Sequence, residues 1–344
     1  MKDDLAELPR VSVVIPTLNS SATLGRCLDS ILTQDYPRER IEILICDGGS
    51  VDGTREIAEK RGVDLLLENF LKTGESGKAL GLRRSTGEMV AFVDSDNVLV
   101  GTDWLRRMVA PFCVPEIILT EPLYFQWNSE DPGITRYCAL MGLNDPLCHY
   151  TGNYDRWNTA TGRWTGLSLA VQDEGDWLWF EGDEKTVLPT IGANGTIYRR
   201  EALIGIMDQD YFFDVDIPPR LCQKGKVGFA KVKLGITHLY CRHLRDFCRK
   251  QRRRVRDYLG FKLQRGSPKS KGGYSLGGIS LFVLSCLTVI PLLATVLKGY
   301  KRKPDWAWFW HIPLSWATLV IYGSETLLAL ISPRKCDRRN WQAR

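Results

Sequence analysis

Four short apolar runs come before residue 94, separated by amphipathic or turn-rich stretches. Residues 11–16 read VSVVIP, residues 41–46 read IEILIC, and residues 63–67 and 89–93 repeat the pattern. Between the first two runs, Leu24, Cys27, Leu28 and Ile31 recur at helical spacing over residues 21–32, and a second helix is expected over 52–61. Continuous apolar runs of strand length alternating with amphipathic helices imply an α/β chain. Its sheet should be largely parallel, with helices on both faces.

The next zone, residues 126–240, is less regular and rich in Trp, Gly and Asp. Trp127, Trp157, Trp164, Trp177 and Trp179 stand among polar residues, which fits either a satellite core or a platform for apolar sugar faces. Residues 241–265 read as a basic amphipathic helix. Leu244, Phe247, Cys248, Val255, Tyr258 and Leu259 form its apolar stripe, and seven Arg and Lys residues between 245 and 256 fill the rest. Such a helix suits an anionic membrane surface. A Gly/Ser/Lys linker over 266–273 follows. Residues 276–297 then carry no charge, with Pro291 expected to bend them, and residues 306–331 form a second apolar stretch that opens on three tryptophans. The two stretches predict a transmembrane hairpin, with one or both segments re-entrant or lying in the interface as the alternative. Basic flanks, with Arg334, Lys335, Arg338 and Arg339 on the far side, place both ends in the cytoplasm. The expected division is therefore 1–240 (halves 1–125 and 126–240), 241–271 and 272–344.

The net charge of +6 is too small to indicate nucleic acid, and the ten cysteines contain no C-x-x-C pair. The acidic start of the chain lacks an apolar signal core, so the first domain is expected to stay in the cytoplasm at the cell membrane.

Chemistry concentrates at strand ends. Asp94 and Asp96 follow the fourth apolar run, at the carboxyl edge of the sheet where open α/β folds bind ligands. In an extended segment, residues i and i+2 point the same way, so both carboxylates are expected to face one cleft. Such oxygen ligands suit Mg²⁺ or Mn²⁺ bridging the phosphates of a nucleotide diphosphate. Asp47 ends the second run, where it could accept hydrogen bonds from a base or ribose. Asp52 suits a helix cap. Lys78, Arg83 and Arg84 either meet phosphate or form a solvated helix face.

Taken in order, VSVVIPTLN (11–19), CLDSILTQ (27–34), DGGSVDGT (47–54) and FVDSDN (92–97) resemble family 2 glycosyltransferases of the GT-A, Rossmann-like fold. The likeness continues through GTIYRRE (195–201), FDVDI (213–217) with Arg220, KGK (224–226) and His238. It implies an inverting transferase that uses a UDP- or GDP-sugar and Mg²⁺ or Mn²⁺. Pro16, Thr17, Asn19 and Asp47 fall where the family contacts the nucleoside, with Asp52, Lys78, Arg84, Asp94 and Ser95 completing the donor site. Asp94, Asp96 and His238 fall on metal positions. Asp214 falls on the general base, with Asp216 as the alternative, while Phe213 stands where the family usually has Glu. QRRRV (251–255) resembles the Q-x-x-R-W motif of processive synthases, but Val255 replaces the Trp. The expected acceptor is a membrane lipid, either a polyprenyl phosphate or a lipid-linked saccharide. A soluble or surface polysaccharide and a non-catalytic nucleotide-sugar sensor are the alternatives, and hairpin packing leaves a homo-oligomer open.

Overall fold

A computed structural model describes residues 8–207, 210–264 and 275–331. The expected linker at 266–273 and the basic residues beyond 331 lie outside them. The described chain divides into two compact units, one of residues up to Tyr124 with Leu169–His238, the other of Phe125–Ser168 with residues from Leu239 onward. This corrects the expected division. Residues 126–168 group with the C-terminal helices, and residues 169–238 group with the first half.

The first unit is built on a ten-stranded sheet in the order β3-β2-β1-β4-β9-β6-β10-β8-β7, with β5 paired to β10. Strands β1 (Val11–Thr17), β2 (Ile41–Asp47), β3 (Leu65–Glu68) and β4 (Met89–Phe92) pair in parallel. Strands β5 (Asn97–Leu99), β6 (Ile117–Gln126), β7 (Gln172–Asp173), β8 (Trp177–Gly182), β9 (Thr196–Arg199) and β10 (Val227–His238) make the antiparallel remainder. Helices α1 (Ser21–Leu32), α2 (Thr54–Lys60), α3 (Gly74–Arg84) and α4 (Trp104–Val109) fall among the early strands. Leu24, Cys27, Leu28 and Ile31 are the buried face of α1, as their spacing dictates.

Helix α3 approaches the sheet on glycines. A Cβ at Gly81 would stand 2.2 Å from Val14 Cγ1, and one at Gly77 would stand 2.9 Å from Pro16 Cβ. The helix therefore runs from the carboxyl end of β1 toward its amino end. Past its last turn, Gly87 abuts Arg10 and Ser12.

The second unit holds α5 (Gly133–Met141), α6 (Pro146–Thr151) and the C-terminal helices α9 (Leu244–Gln264), α10 (Leu276–Thr288), α11 (Ile290–Arg302) and α12 (His311–Ile331). The short helices α7 (Arg200–Ile204) and α8 (Ile217–Cys222) belong to the first unit. Tyr137, Leu140 and Met141 from α5 share one core with Phe247, Val296, Trp308 and Leu314. The apolar stretch expected as a single span from 276 is instead two helices meeting at 92°. The break lies at Val289, whose φ is +63°. Pro291 sits in the first turn of α11, where its missing N–H costs no helical bond. Among the described residues, Trp306–Ile331 is one helix long and apolar enough to cross a membrane.

Candidate active site

The loops at the carboxyl ends of β1, β2 and β4 are tied together by short polar side chains. Thr17 donates its hydroxyl to Asp47 Oδ1 at 2.9 Å, and Ser50 donates to the same oxygen at 2.6 Å. The N–H groups of Gly49 and Ser50 donate to the other oxygen at 3.0 and 2.9 Å. Against the cost of burial, these bonds hold the Asp47 carboxyl below its usual range. Asp47 is fully buried, and both of its carboxylate oxygens are engaged in shaping the loop. Asn19 takes a positive φ of 50°, accepts from the Val51 N–H at 3.0 Å, and donates its own N–H to Ser50 Oγ at 2.8 Å. Asp52 accepts from the N–H of Ser21 and from Thr54, fastening the starts of α1 and α2. Against burial, those bonds lower its pKa to about 2.

Asp94 and Asp96 do not lie on an extended segment. Asn97 N–H donates to the Asp94 carbonyl at 2.8 Å, and Asn97 Oδ1 accepts from the Asp94 N–H at 3.1 Å, so the acids sit in a tight turn. Their side chains diverge as a result. Asp94 Oδ1 lies 3.2 Å from Lys78 Nζ, and Asp96 Oδ1 lies 3.5 Å from His238 Nε2. The second approach follows from register, because β5 and β10 pair with Asn97 opposite His238. Asn97 is fully buried and also donates to Asn194 Oδ1 at 3.1 Å. Ser95 donates to Ser20 Oγ at 2.9 Å. No group of three metal-ligating side chains stands together among the described residues, because Asp94 is turned toward Lys78.

Lys78 is the junction. Its side chain is 6% exposed, and its Nζ lies 3.1 and 3.4 Å from the two Asp214 oxygens as well as beside Asp94. Asp214 opens a short 3-10 turn, Asp214–Asp216, that leads into α8. Phe212 anchors it, wholly buried with its ring centroid 4.2 Å from that of Phe92 and its N–H donating to the Glu75 carbonyl. Burial, with the repulsion of Asp94 and Glu75, raises the Asp214 pKa to about 6 against the pull of Lys78. Lys78 itself is raised, since its acidic neighbours outweigh the penalty of burial. Asp216 is half-buried on the same turn, with its N–H bonded to the Phe213 carbonyl.

The expected phosphate contact at Arg84 is corrected. Arg84 is exposed in the last turn of α3, at the amino end of the strands and away from this cluster. Trp127 is not an open platform either, since Lys303 Nζ covers its ring at 3.7 Å.

The glycosyl transferase family 2 model matches residues 12–177. This chain carries a glycosyltransferase family 2 domain. The domain is 34% identical over 108 residues to glycosyltransferase AglE of Haloferax volcanii, covering 30% of this chain and 35% of that one. It is 30% identical over 99 residues to the GalNAc(5)-diNAcBac-PP-undecaprenol beta-1,3-glucosyltransferase of Campylobacter jejuni, covering 27% and 31%. The matches thus span about a third of those relatives' lengths. The fold extends further. Mannosyltransferase PcManGT from Pyrobaculum calidifontis, solved with GDP-Man and Mn2+, superposes with a TM-score of 0.55 over 93% of this chain and 87% of its own, at 17% identity. The GT-A fold of the family 2 domain is thereby established.

Proposed function

We propose that the protein transfers a sugar, with inversion, from a nucleotide-diphosphate sugar to a membrane-associated acceptor, either a polyprenyl phosphate or a lipid-linked saccharide. The observation that carries this reading is the meeting of Asp94 and Asp214, far apart in sequence, on the one buried ammonium of Lys78. Asp214 is the base. With a saccharide acceptor its carboxylate accepts the hydroxyl proton as that oxygen attacks the anomeric carbon, and a pKa of about 6 keeps it ionised yet basic near neutrality; a polyprenyl phosphate oxygen is already anionic and attacks without a base. Lys78 then has a second partner in the departing diphosphate, and in turning to it Lys78 releases Asp94. The loop held by Thr17, Asn19, Asp47 and Asp52 forms the nucleoside cradle.

Two carboxylates and an imidazole suit Mg²⁺ or Mn²⁺. Asp96 and His238 already stand side by side, and Asp94 would join them on leaving Lys78. Such a cation would stabilise charge on the diphosphate. The apolar C-terminal helices and the undecaprenol-linked substrate in the Campylobacter relative's name support a lipid acceptor at the cytoplasmic face of a membrane.

Release of nucleoside diphosphate by detergent-purified protein tests the reading, with UDP- and GDP-sugars, Mn²⁺ or Mg²⁺, and polyprenyl phosphate present or absent. Metal-dependent release that rises with the lipid is expected, and with a lipid-linked saccharide as acceptor it collapses in Asp214→Asn while donor binding persists. Phe213 in place of an acid favours one second reading, a donor-binding sensor. Donor binding with no release across acceptors would establish it.

A further inference from the structure

How the second unit meets a bilayer is decided by the partner of its longest apolar helix. α9 and α12 run side by side in the same direction. Phe247 shares a core with Trp308 and Leu314. Further along, Tyr322 OH lies 3.0 Å from Gln251 Oε1, and Arg256 makes a two-pronged bond to Glu325 at 2.7 and 2.8 Å, with Arg252 Nε 3.2 Å from the same carboxylate. The contact therefore tracks about 13 Å of α9 and about 16 Å of α12 at 1.5 Å per residue. Glu325 is 8% exposed, and Tyr322 donates to Asp145 Oδ2 at 2.6 Å.

The outward face of α9 is an arginine stripe. Arg242 precedes the helix, and Arg245, Arg249 and Arg253 follow at helical spacing, all four exposed, while Arg252 and Arg256 flank them with their guanidinium groups on Glu325. At 100° per residue the four outward arginines occupy an arc of roughly 80°. The outward faces of the other helices are apolar. Leu281, Leu284 and Leu287 on α10 are 50–65% exposed, and Trp316, Val320 and Leu327 on α12 are 38–61% exposed.

A crossing helix needs about 30 Å of hydrocarbon-compatible surface. If α12 crossed, it would draw its attached neighbour with it, and the exposed arginines would face acyl chains. Each such arginine at the bilayer centre costs roughly a hundredfold in the insertion equilibrium. A pair of helices with one basic and several leucine-rich outward faces instead matches the boundary between headgroups and acyl chains.

We propose that α12 does not cross the membrane. The α9–α12 pair lies in the plane of an anionic leaflet, with the arginine stripe among the headgroups. The bent α10–α11 pair dips into that leaflet and returns, so Lys301 and everything after α12 stay on the side of the catalytic unit. The inference rests on the membrane reading above and replaces its hairpin with a one-sided attachment.

Topology labelling tests it with the full chain, carrying Lys301→Cys, produced in a Gram-negative bacterial host. A membrane-impermeant maleimide is applied to spheroplasts and to inverted inner-membrane vesicles, and each thiol is read by peptide mass. Exposed Cys113, in the catalytic unit, marks that unit's side. The expected result is labelling of Cys113, Cys336 and the thiol introduced at position 301 together in inverted vesicles, with none in spheroplasts. Labelling of Cys336 or of the introduced thiol on the side opposite Cys113 overturns the proposal while leaving membrane attachment intact. Vesicle flotation supplies the second arm. Replacing Arg245, Arg249 and Arg253 by Gln should weaken partitioning onto phosphatidylserine-containing vesicles by roughly fivefold per arginine, and leave phosphatidylcholine vesicles unaffected. Equal partitioning of parent and variant onto the anionic vesicles refutes the headgroup role. Failure of the parent to bind either kind of vesicle refutes the membrane reading itself.

Discussion

Lys78→Met isolates the electrostatic junction of the site. In the native arrangement Asp214 sits at about pKa 6 with the Lys78 ammonium 3.1 Å away. An opposite charge at that range lowers a carboxyl pKa by about 1–3 units. Its removal leaves burial and the repulsion of Asp94 and Glu75 unopposed, which lifts Asp214 to roughly 7–9. The ionised form is the base, so activity rises with pH through this pKa, and a raised pKa moves the acid limb of the profile toward alkali. At pH 7 the ionised fraction falls from about nine-tenths to about one-tenth for a two-unit shift, a loss on the order of tenfold at that pH. The assay is kcat/KM for nucleoside diphosphate release from about pH 5 to 9.5, with Lys78→Arg as the charge-preserving control and a melting curve for each variant. An acid limb that stays near pH 6 in Lys78→Met, in a protein that still folds, refutes the coupling of Lys78 to the base.

Gly81→Ala should destabilise the first unit by about 1–3 kcal/mol or more, because the new methyl meets Val14 backed by the sheet; urea melts measure it. Lys231 and Glu121 form an ion pair 1% and 0% exposed. Lys231→Met alone should cost about 3–5 kcal/mol by stranding a buried carboxylate, whereas Lys231→Met with Glu121→Leu should recover most of it in the same melts. Arg84→Ala should leave the KM for the donor within about twofold, since its exposed position at the far end of α3 keeps it from the cluster. A tenfold rise would return it to the phosphate site.

The parallel half was legible because β1, β2 and β4 are buried on both faces, so composition alone marks them, and because α1 announces its inward face at helical spacing. The positions of Asp94, Asp214 and His238 were legible through motif order. Their partnerships were not. Asp96 meets His238 through the register of β5 on β10, a pairing of distant segments that no local pattern encodes. Asp94 turns to Lys78 because Asn97 closes a turn with its side chain, and that residue read only as the end of a motif. The burial of Lys78 and Lys231 was hidden for a shared reason: a charge enters the interior only where a carboxylate from elsewhere awaits it. Val289 breaks its helix with a backbone angle unusual for a β-branched residue, whereas composition points to the nearby proline.

The second unit is assembled from two stretches of chain with the end of the catalytic sheet between them. During synthesis, Tyr137, Leu140 and Met141 emerge long before Phe247, Trp308 and Leu314, the side chains that complete their core. At about 5–20 residues per second the wait lasts roughly 5–35 s, with an aromatic surface open to chaperones or to the nearby bilayer. Shortening the chain ahead of α9 makes that wait permanent, so a truncation meant to release a soluble enzyme would instead strip Phe247, Val296, Trp308 and Leu314 from that core.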